Sequence, residues 1–189
     1  MLISNDFEVA EPVETVWRIF GDIPQVASCL PGTELTNDLG DDRYEGRVSV
    51  RMGPVSLRFA GTAHITERDD AAKRIVVRAS GAEEKGRGQA SMAVTAALTR
   101  VGRGTKVSVT QDMQIAGAAA QYGRGMIADV SAVLMRDFAV NLQRRIRGEG
   151  PAHETAAPAR GFALGLAAMM LALKRVFRRF FAPYQGIPT

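Results

Sequence analysis

The chain has 189 residues, a length that fits one ordinary domain with an appendage and leaves no room for a second catalytic domain. Its composition, 46% hydrophobic and 23% charged, excludes a wholly disordered or collagen-like chain. The net charge is +4, and residues 148–189 contribute +3 of it, because they hold five basic and two acidic residues. The body is nearly neutral, so we expect no nucleic-acid partner, which would require a basic face on the folded domain.

The N-terminal segment predicts one strand followed by two short helices. The strand covers Leu2 to Val9. A helix then begins at Pro12, because proline suits the first helical turn, and it ends at Gly21. A second short helix is predicted from Ile23 to Cys29.

The N-terminal segment also indicates the cellular compartment of the protein. It has acidic residues where a secretory signal would have a basic region, and no apolar run follows. Cys29 is the only cysteine, which excludes an internal disulfide and fits a reducing cytosol. We therefore expect a cytoplasmic location, and we expect Cys29 to be a small buried hydrophobic residue.

The central part of the chain predicts an antiparallel meander. Residues 33–115 hold five or six runs that alternate between apolar and polar side chains, separated by turns such as Gly40–Asp42 and Gly102–Gly104. These connections are too short for crossover helices. The charged run Glu83–Lys85 is expected to be a solvated turn, and Asp112 is expected to face outward.

A long helix is predicted from Gly117 to Arg147, long enough to span the concave side of the sheet. Its apolar stripe is predicted to contain Met126, Ile127, Val130, Val133, Leu134, Phe138, Leu142 and Ile146. The fold class is therefore α+β, with a curved antiparallel sheet of six or seven strands wrapped on a long C-terminal helix. Residues 1–147 form this predicted domain.

The remaining residues predict a linker and a membrane anchor. Residues 148–160 are rich in proline and glycine, which is typical of a flexible linker. In the tail, 161–189, the 13 residues from Gly161 to Leu173 carry no charge, but as a helix they would extend only about 20 Å, short of the hydrocarbon core. An amphipathic helix lying in the interface of an anionic membrane fits better. The predicted anchor residues are Phe162, Leu166, Met169, Met170, Leu173, Lys174, Arg175, Phe177, Arg178, Arg179, Phe180 and Phe181. The alternatives are docking on a partner protein or on the domain's own surface.

Several predicted strand positions carry small residues where a solid core would need bulky ones. They are Gly46, Gly61, Ala63, Ala79, Gly81, Ala90 and Ala96. If at least half of them face the helix, an apolar void remains between sheet and helix. Its predicted lining is Trp17, Phe20, Met52, Phe59, Met92, Met113, Tyr122, Met126, Val130 and Leu134. The alternative is that the glycines mark bends of a curved sheet around an ordinary core.

The inventory of chemical groups argues against catalysis. The chain has two histidines, His64 and His153, and no cluster with metal-ligand spacing, so we expect no metal. Hydrolase nucleophile motifs, a P-loop and a dinucleotide fingerprint are absent from the sequence. We therefore expect no enzymatic activity, with His64 as a base in a pocket the less favoured alternative. The glycines beside Tyr122, within Tyr122–Gly125, predict either a mobile portal to the pocket or a close contact with the strand loops.

Four motifs together resemble the carbon monoxide dehydrogenase G-subunit family. They are FEVxxPVETVW from Phe7 to Trp17, CLPG from Cys29 to Gly32, MGPV from Met52 to Val55, and AAQYGRGMIxDV from Ala119 to Val130. The order of predicted elements is similar to the helix-grip fold of the superfamily that includes START lipid-transfer domains and polyketide cyclases. This resemblance covers roughly residues 1–147.

The resemblance implies a function as well as a fold. The superfamily implies a deep hydrophobic cavity between sheet and long helix. The family implies recruitment of a molybdenum carbon monoxide dehydrogenase-type enzyme to the cytoplasmic side of the cell membrane. It also implies carriage of a membrane quinone, menaquinone or ubiquinone, as bound cargo rather than a covalent cofactor. Two alternatives stay open: an adaptor or maturation factor without a ligand, and a small cyclase-type enzyme.

Overall fold

The computed structural model describes residues 1–149 and contains the predicted order of elements. Eight-residue strand β1 is followed by two short helices, six further strands and a long helix. The bounds are β1 Leu2–Val9, α1 Val13–Phe20, α2 Ile23–Cys29, β2 Thr33–Gly40, β3 Arg43–Met52, β4 Val55–Asp69, β5 Arg74–Glu83, β6 Gly88–Val101, β7 Gly104–Gly117 and α3 Gly123–Ile146. The predicted linker, 148–160, extends beyond the described residues, and the tail, 161–189, with all its predicted anchor residues, lies outside them.

The seven strands form one antiparallel sheet in the order β1-β7-β6-β5-β4-β3-β2. Strands β2 to β7 are a meander, and β1 joins it by pairing with β7, from Leu2 opposite Asp112 to Val9 opposite Thr105. Helix α3 makes its closest backbone approaches to the sheet at β1 and β3, towards its two edges. The predicted α+β helix-grip class is confirmed. No helix within residues 1–149 combines the length and the apolar character needed to cross a membrane.

Local sequence explains the two short helices. Pro12 caps α1, and the apolar residues Val16, Trp17 and Phe20 bury one side of it. Asp22 caps α2, because its Oδ1 accepts a hydrogen bond from the backbone N–H of Gln25 at 3.1 Å. Both helices therefore begin where the sequence predicts, and they close one end of the sheet.

Strand register arranges the small residues in rows across the inner face, the face that α3 covers. One row pairs Gly46 with Gly61, Gly61 with Gly81, Gly81 with Ala90, and Ala90 with Ile115. The neighbouring row runs through Tyr44, Ala63, Ala79, Met92 and Met113. Ala96 lies in a further row, between the buried Ile75 and Val109. All seven small residues thus lie on the inner face.

Close backbone packing is a second reason for glycine in the first row. A Cβ atom on Gly61 would lie 2.0 Å from the carbonyl oxygen of Ser80 and 2.5 Å from the Cα of Gly81. Only glycine fits where two strands approach this closely. The glycines of this row therefore combine an inner-face position with close contact between strands.

The start of the long helix differs from the prediction. Residues Ala118–Tyr122 form a 3₁₀ turn, and α3 begins only at Gly123. Gly117 and Gly123 bracket this turn with φ of +78° and +73°, values that interrupt a right-handed helix. The predicted helical start at Gly117 is therefore wrong by about one turn and a half.

Candidate functional site

Two separate apolar clusters fill the space between the sheet and its helices. The large cluster lies beside α1, α2 and the second half of α3, and its buried members are Val9, Val16, Trp17, Phe20, Cys29, Ile65, Ile75, Ala96, Leu98, Val107, Val109, Phe138 and Leu142. The small cluster lies beside the start of α3, with Ile3, Met52, Leu57, Ala119 and Ile127 as its buried members. The core is therefore divided in two along the sheet.

The two rows of small residues lie between these clusters, and we call the space in front of them the central gap. Ala63, Ala79, Ala90 and Met92 face it from β4, β5 and β6, and each remains only partly buried. Inner-face residues of central strands are normally sealed by the opposite layer. Because α3 approaches the sheet at β1 and β3 and the side chains between are short, this sealing is incomplete here.

The ten residues predicted to line a cavity lie in different parts of the domain, and the prediction is wrong for Met126. Trp17 and Phe20 belong to the large cluster. Met52 belongs to the small cluster, and four partly buried residues pack against it: Phe59, Met113, Tyr122 and Val130. Met92 and Leu134 are partly buried and belong to neither cluster. Met126 is 42% exposed on the outer side of α3.

A buried polar group that the sequence interpretation missed lies on the same inner face. Nε2 of Gln111 on β7 donates a hydrogen bond to Oγ of Ser131 on α3 at 3.1 Å. Nδ2 of Asn5 on β1 donates to the same Oγ at 3.3 Å. Gln111 and Ser131 are each only 6% exposed. We call Asn5, Gln111 and Ser131 the polar trio; its signal in the sequence is one glutamine in the apolar alternation of β7.

The turn between β5 and β6 is held by a buried carboxylate. Glu83, expected to be solvated, is only 3% exposed, so that prediction is wrong. Its Oε1 accepts from Nη2 of Arg87 at 2.8 Å, and its Oε2 accepts from the backbone N–H groups of Lys85 and Arg87 at 2.9 and 3.1 Å. These hydrogen bonds, that from the Arg87 side chain above all, lower the pKa of Glu83 to about 2. Arg87 also reaches the carbonyl oxygen of Ser56, which ties the turn to β4.

In the predicted portal around Tyr122, some glycines lie in close contact with neighbouring backbone and others have free space beside them. Gly117 needs its lack of a side chain, because a Cβ there would lie 2.7 Å from both the Arg87 oxygen and the Gly88 Cα. A Cβ on Gly123 or Gly125 would meet nothing within 4 Å. The close contact of this segment with the strand loops is therefore made at Gly117, six residues before Gly123 and eight before Gly125.

The remaining candidate groups do not face the central gap. His64 is exposed on the outer face, opposite Arg43 and Arg78. The side chain of Asp112 is 66% exposed, as expected, and lies 3.6 Å from the N-terminal ammonium. Cys29 is buried in the large cluster as predicted, and this burial raises the pKa of its thiol. Among residues 1–149 no three histidine, cysteine or carboxylate groups are placed to hold a metal ion.

Two open depressions lie on the surface of the described domain. One, of about 570 Å³, is lined largely by outward-facing side chains of β4 to β7, including Thr62, Ser80, Ser91 and Gln114. The other, of about 400 Å³, is a groove between β1 and α3, which Asn5 of the polar trio borders. Of these two depressions, the second, the β1–α3 groove, is the one that adjoins the polar trio.

The sheet, its two short helices and the long covering helix define a helix-grip protein. The sequence profile of the CoxG family, described as the G-subunit of carbon monoxide dehydrogenase, matches residues 6–147, and the chain belongs to this family. Among curated proteins, none matches the chain significantly.

Solved structures share the fold at low sequence identity. A conserved protein from Geobacillus kaustophilus is 20% identical, with a TM-score of 0.70 over 79% of this chain and 97% of its own. An aromatase/cyclase from a Streptomyces species is 18% identical, with a TM-score of 0.56 over 80% and 99%. A START superfamily protein from Mycobacterium smegmatis is also 18% identical, with a TM-score of 0.51 over 78% and 98%. At these identities the likeness concerns the fold alone.

Proposed function

We propose that residues 1–147 bind a membrane quinone, menaquinone or ubiquinone, with its apolar tail in the central gap. In this proposal the chain delivers the quinone to a molybdenum carbon monoxide dehydrogenase-type enzyme, which uses it as electron acceptor. The observation that carries the proposal is the central gap itself. It is formed by two rows rich in glycine and alanine that lie between two apolar clusters, under a helix whose closest backbone contacts with the sheet are concentrated at β1 and β3.

The residues around the gap suit a long apolar guest. Burying an isoprenoid chain is favourable by about 0.8 kcal/mol for each CH₂ group removed from water. Met92 and Met113 stand side by side in the second row, and methionine adapts its shape to irregular ligands. A prenyl tail would thus replace the missing core between the two clusters.

The tail supports the membrane part of the proposal through its composition. Lys174, Arg175, Arg178 and Arg179 would each contribute about 1 kcal/mol near an anionic surface. The large apolar residues of the predicted anchor add hydrophobic burial at the interface. We therefore propose a peripheral protein on the cytoplasmic side of the membrane, held near the quinone pool.

The proposal requires no reaction by this chain. Transfer of a quinone into the gap is driven by burial of apolar surface, and the electron transfer belongs to the partner enzyme. His64, the side chain considered for a catalytic base, lies on the outer face, away from the gap.

Analysis of the molecules bound to the purified full-length chain tests the proposal. Native mass spectrometry of the wild type is expected to show a co-purified quinone, identified after solvent extraction. Ala79→Phe, which fills the gap, is expected to lose the quinone. Ala82→Phe places the same ring on the exposed outer face of the same strand and is expected to retain it.

Circular dichroism and thermal melts check that both variants fold. A wild-type chain that binds the dehydrogenase but contains and accepts no quinone would contradict carriage and identify an adaptor. Equal quinone occupancy in the two variants would show that the gap is not the site.

A further inference from the structure

The polar trio lies on the boundary between the two apolar clusters. On β1, Asn5 is flanked by Ile3 of the small cluster and by Phe7, which packs against the large one. On β7, Gln111 lies between Val109 of the large cluster and Met113, which packs against the small one. On α3, Ser131 lies between Ile127 of the small cluster and Met135, which packs against the large one. Gln111 is opposite Ile3 and Asn5 is opposite Val109, so the two amides lie in adjacent rows. Three elements therefore bring polar residues together at this boundary, beside the central gap.

The two amides and the hydroxyl at this boundary have more hydrogen-bonding capacity than their mutual bonds use. Among the described residues every fully buried side-chain nitrogen or oxygen has a partner, so the unpaired amide atoms of the trio retain some access to open space. Buried polar groups are destabilising unless they are hydrogen-bonded. Each amide carries two N–H donors and one oxygen acceptor, and the hydroxyl adds a donor. Within residues 1–149 the trio makes two hydrogen bonds, both accepted by Oγ of Ser131. The second N–H of each amide and both amide oxygens retain capacity for a further partner.

Open space adjoins the trio on two sides. Gln111 is next to the Met92–Met113 pair of the second row, so it borders the central gap. Asn5 borders the β1–α3 groove of about 400 Å³. A group that bonds the trio could thus continue into the gap with its apolar part and meet the groove with its polar part.

We propose that the polar trio is a head-group site for the neutral carbonyl or hydroxyl oxygen of an apolar ligand, with Gln111 as the principal donor. This inference rests on the proposed function, since it assumes that the ligand's apolar part occupies the central gap. The three side chains are uncharged, so they favour a neutral oxygen over a carboxylate or phosphate, whose buried charge would need a cationic partner. A head group held here lies at the β1–α3 groove, where an electron donor outside the domain could approach it.

The test compares two probes that share a tail and differ in their oxygens. Decylubiquinone has ring carbonyl oxygens, whereas n-decylbenzene has none. Binding of each to the full-length, quinone-depleted chain is followed by fluorescence of the single tryptophan and by calorimetry. The ratio of the two affinities is first corrected for the ratio of the two probes' partition coefficients into hydrocarbon. After this correction the wild type is expected to bind decylubiquinone about three- to tenfold more tightly than n-decylbenzene, which is the usual net contribution of one hydrogen bond.

Gln111→Leu is expected to abolish this preference, and Gln114→Leu to keep it. Gln114 is the matched control because it lies on the same strand but is exposed on the outer face. An unchanged preference in Gln111→Leu would overturn the head-group site while leaving the proposed function intact. Failure of the wild type to bind either probe would overturn both.

A second measurement needs no variant. Infrared spectra of decylubiquinone bound to the wild type are expected to show a carbonyl band at lower frequency than in hexane, as a hydrogen-bonded carbonyl gives. A merely structural role of the trio would leave the band at its hexane position, and that result would overturn the proposal even if Gln111→Leu failed to fold.

Discussion

The indole Nε1 of Trp17 donates a hydrogen bond to Oδ1 of Asp70 at 2.7 Å, and this bond ties α1 to the turn between β4 and β5. The ammonium of Lys73, in the same turn, lies 5.6 Å from the centre of the Trp17 ring. Trp17 therefore closes the end of the large cluster against a turn that is distant in the chain. The contact joins α1 to the meander.

A double-mutant cycle tests this tie. Asp70→Ala, Trp17→Phe and the double variant are compared by urea unfolding, and the coupling between the two sites is expected to be about 1 kcal/mol, the usual net value of one such bond. Trp17→Phe alone also loses buried apolar area, which the cycle subtracts. Additive effects of the two substitutions would contradict the tie.

Acid stability is expected to depend on Glu83. Its pKa is about 2 in the folded protein against 4.5 for a free glutamate, because Arg87 and two backbone N–H groups bind the charged form. A lowered pKa stabilises the fold above pH 4.5, and this contribution is lost as the pH falls from 4.5 towards 2. Unfolding measured across this range should therefore show a steeper loss for the wild type than for Glu83→Gln.

Glu8→Gln is the control for this measurement, because Glu8 is exposed on β1. It is expected to follow the wild-type profile. If Glu83→Gln also followed it, the carboxylate would not be responsible for the acid dependence.

Cys29 is expected to resist thiol reagents in the folded protein. It is 2% exposed, and burial raises the pKa of its thiol, so the reactive thiolate is scarce and shielded at neutral pH. Labelling should become fast only in urea. The variant that combines Cys29→Ala with Ser28→Cys moves the thiol to an exposed neighbour and should react at once. Rapid labelling of native Cys29 would show that α2 opens readily.

Membrane attachment is expected to depend on the tail. Phe177→Glu combined with Phe180→Glu should release the full-length chain from anionic vesicles in a sedimentation assay, because it places two charges in the predicted apolar side. Ala157→Glu combined with Ala159→Glu makes the same charge change in the predicted linker and should stay bound. The thermal transition of residues 1–147 should be unaffected in both. Continued binding of the phenylalanine variant would contradict the anchor.

The sequence predicted the strands and the small-residue face because both depend on local alternation. Ala63 and Ala79, for example, alternate with outward neighbours in β4 and β5, and their register follows from short turns. The rotation of α3 was harder to predict, because its sequence is apolar on more than one side. Met126 and Val133 were assigned to the buried stripe, but they are 42% and 43% exposed and continue at the same spacing to Val140.

The polar trio could not be predicted for a related reason. Gln111 and Ser131 are twenty positions apart, on different elements, and they meet only when the rotation of α3 is fixed. The 3₁₀ turn that precedes α3 lies between Gly117 and Gly123, and the positive φ values of these two glycines leave no periodic signal in the sequence. Local patterns therefore predict which residues face inward, whereas the partners of polar side chains require the assembled layers.

The pairing of β1 with β7 also constrains how the protein is made. Within the described residues β1 pairs only with β7, from Leu2 opposite Asp112 to Val9 opposite Thr105, so it stays unpaired until most of the domain has been synthesised. During that interval Phe7 and Val9 have no lasting cover, and closing so long a loop is slow compared with the local hairpins of the meander. Nascent chains arrested before β7 are therefore the forms of this protein most exposed to chaperones and to aggregation.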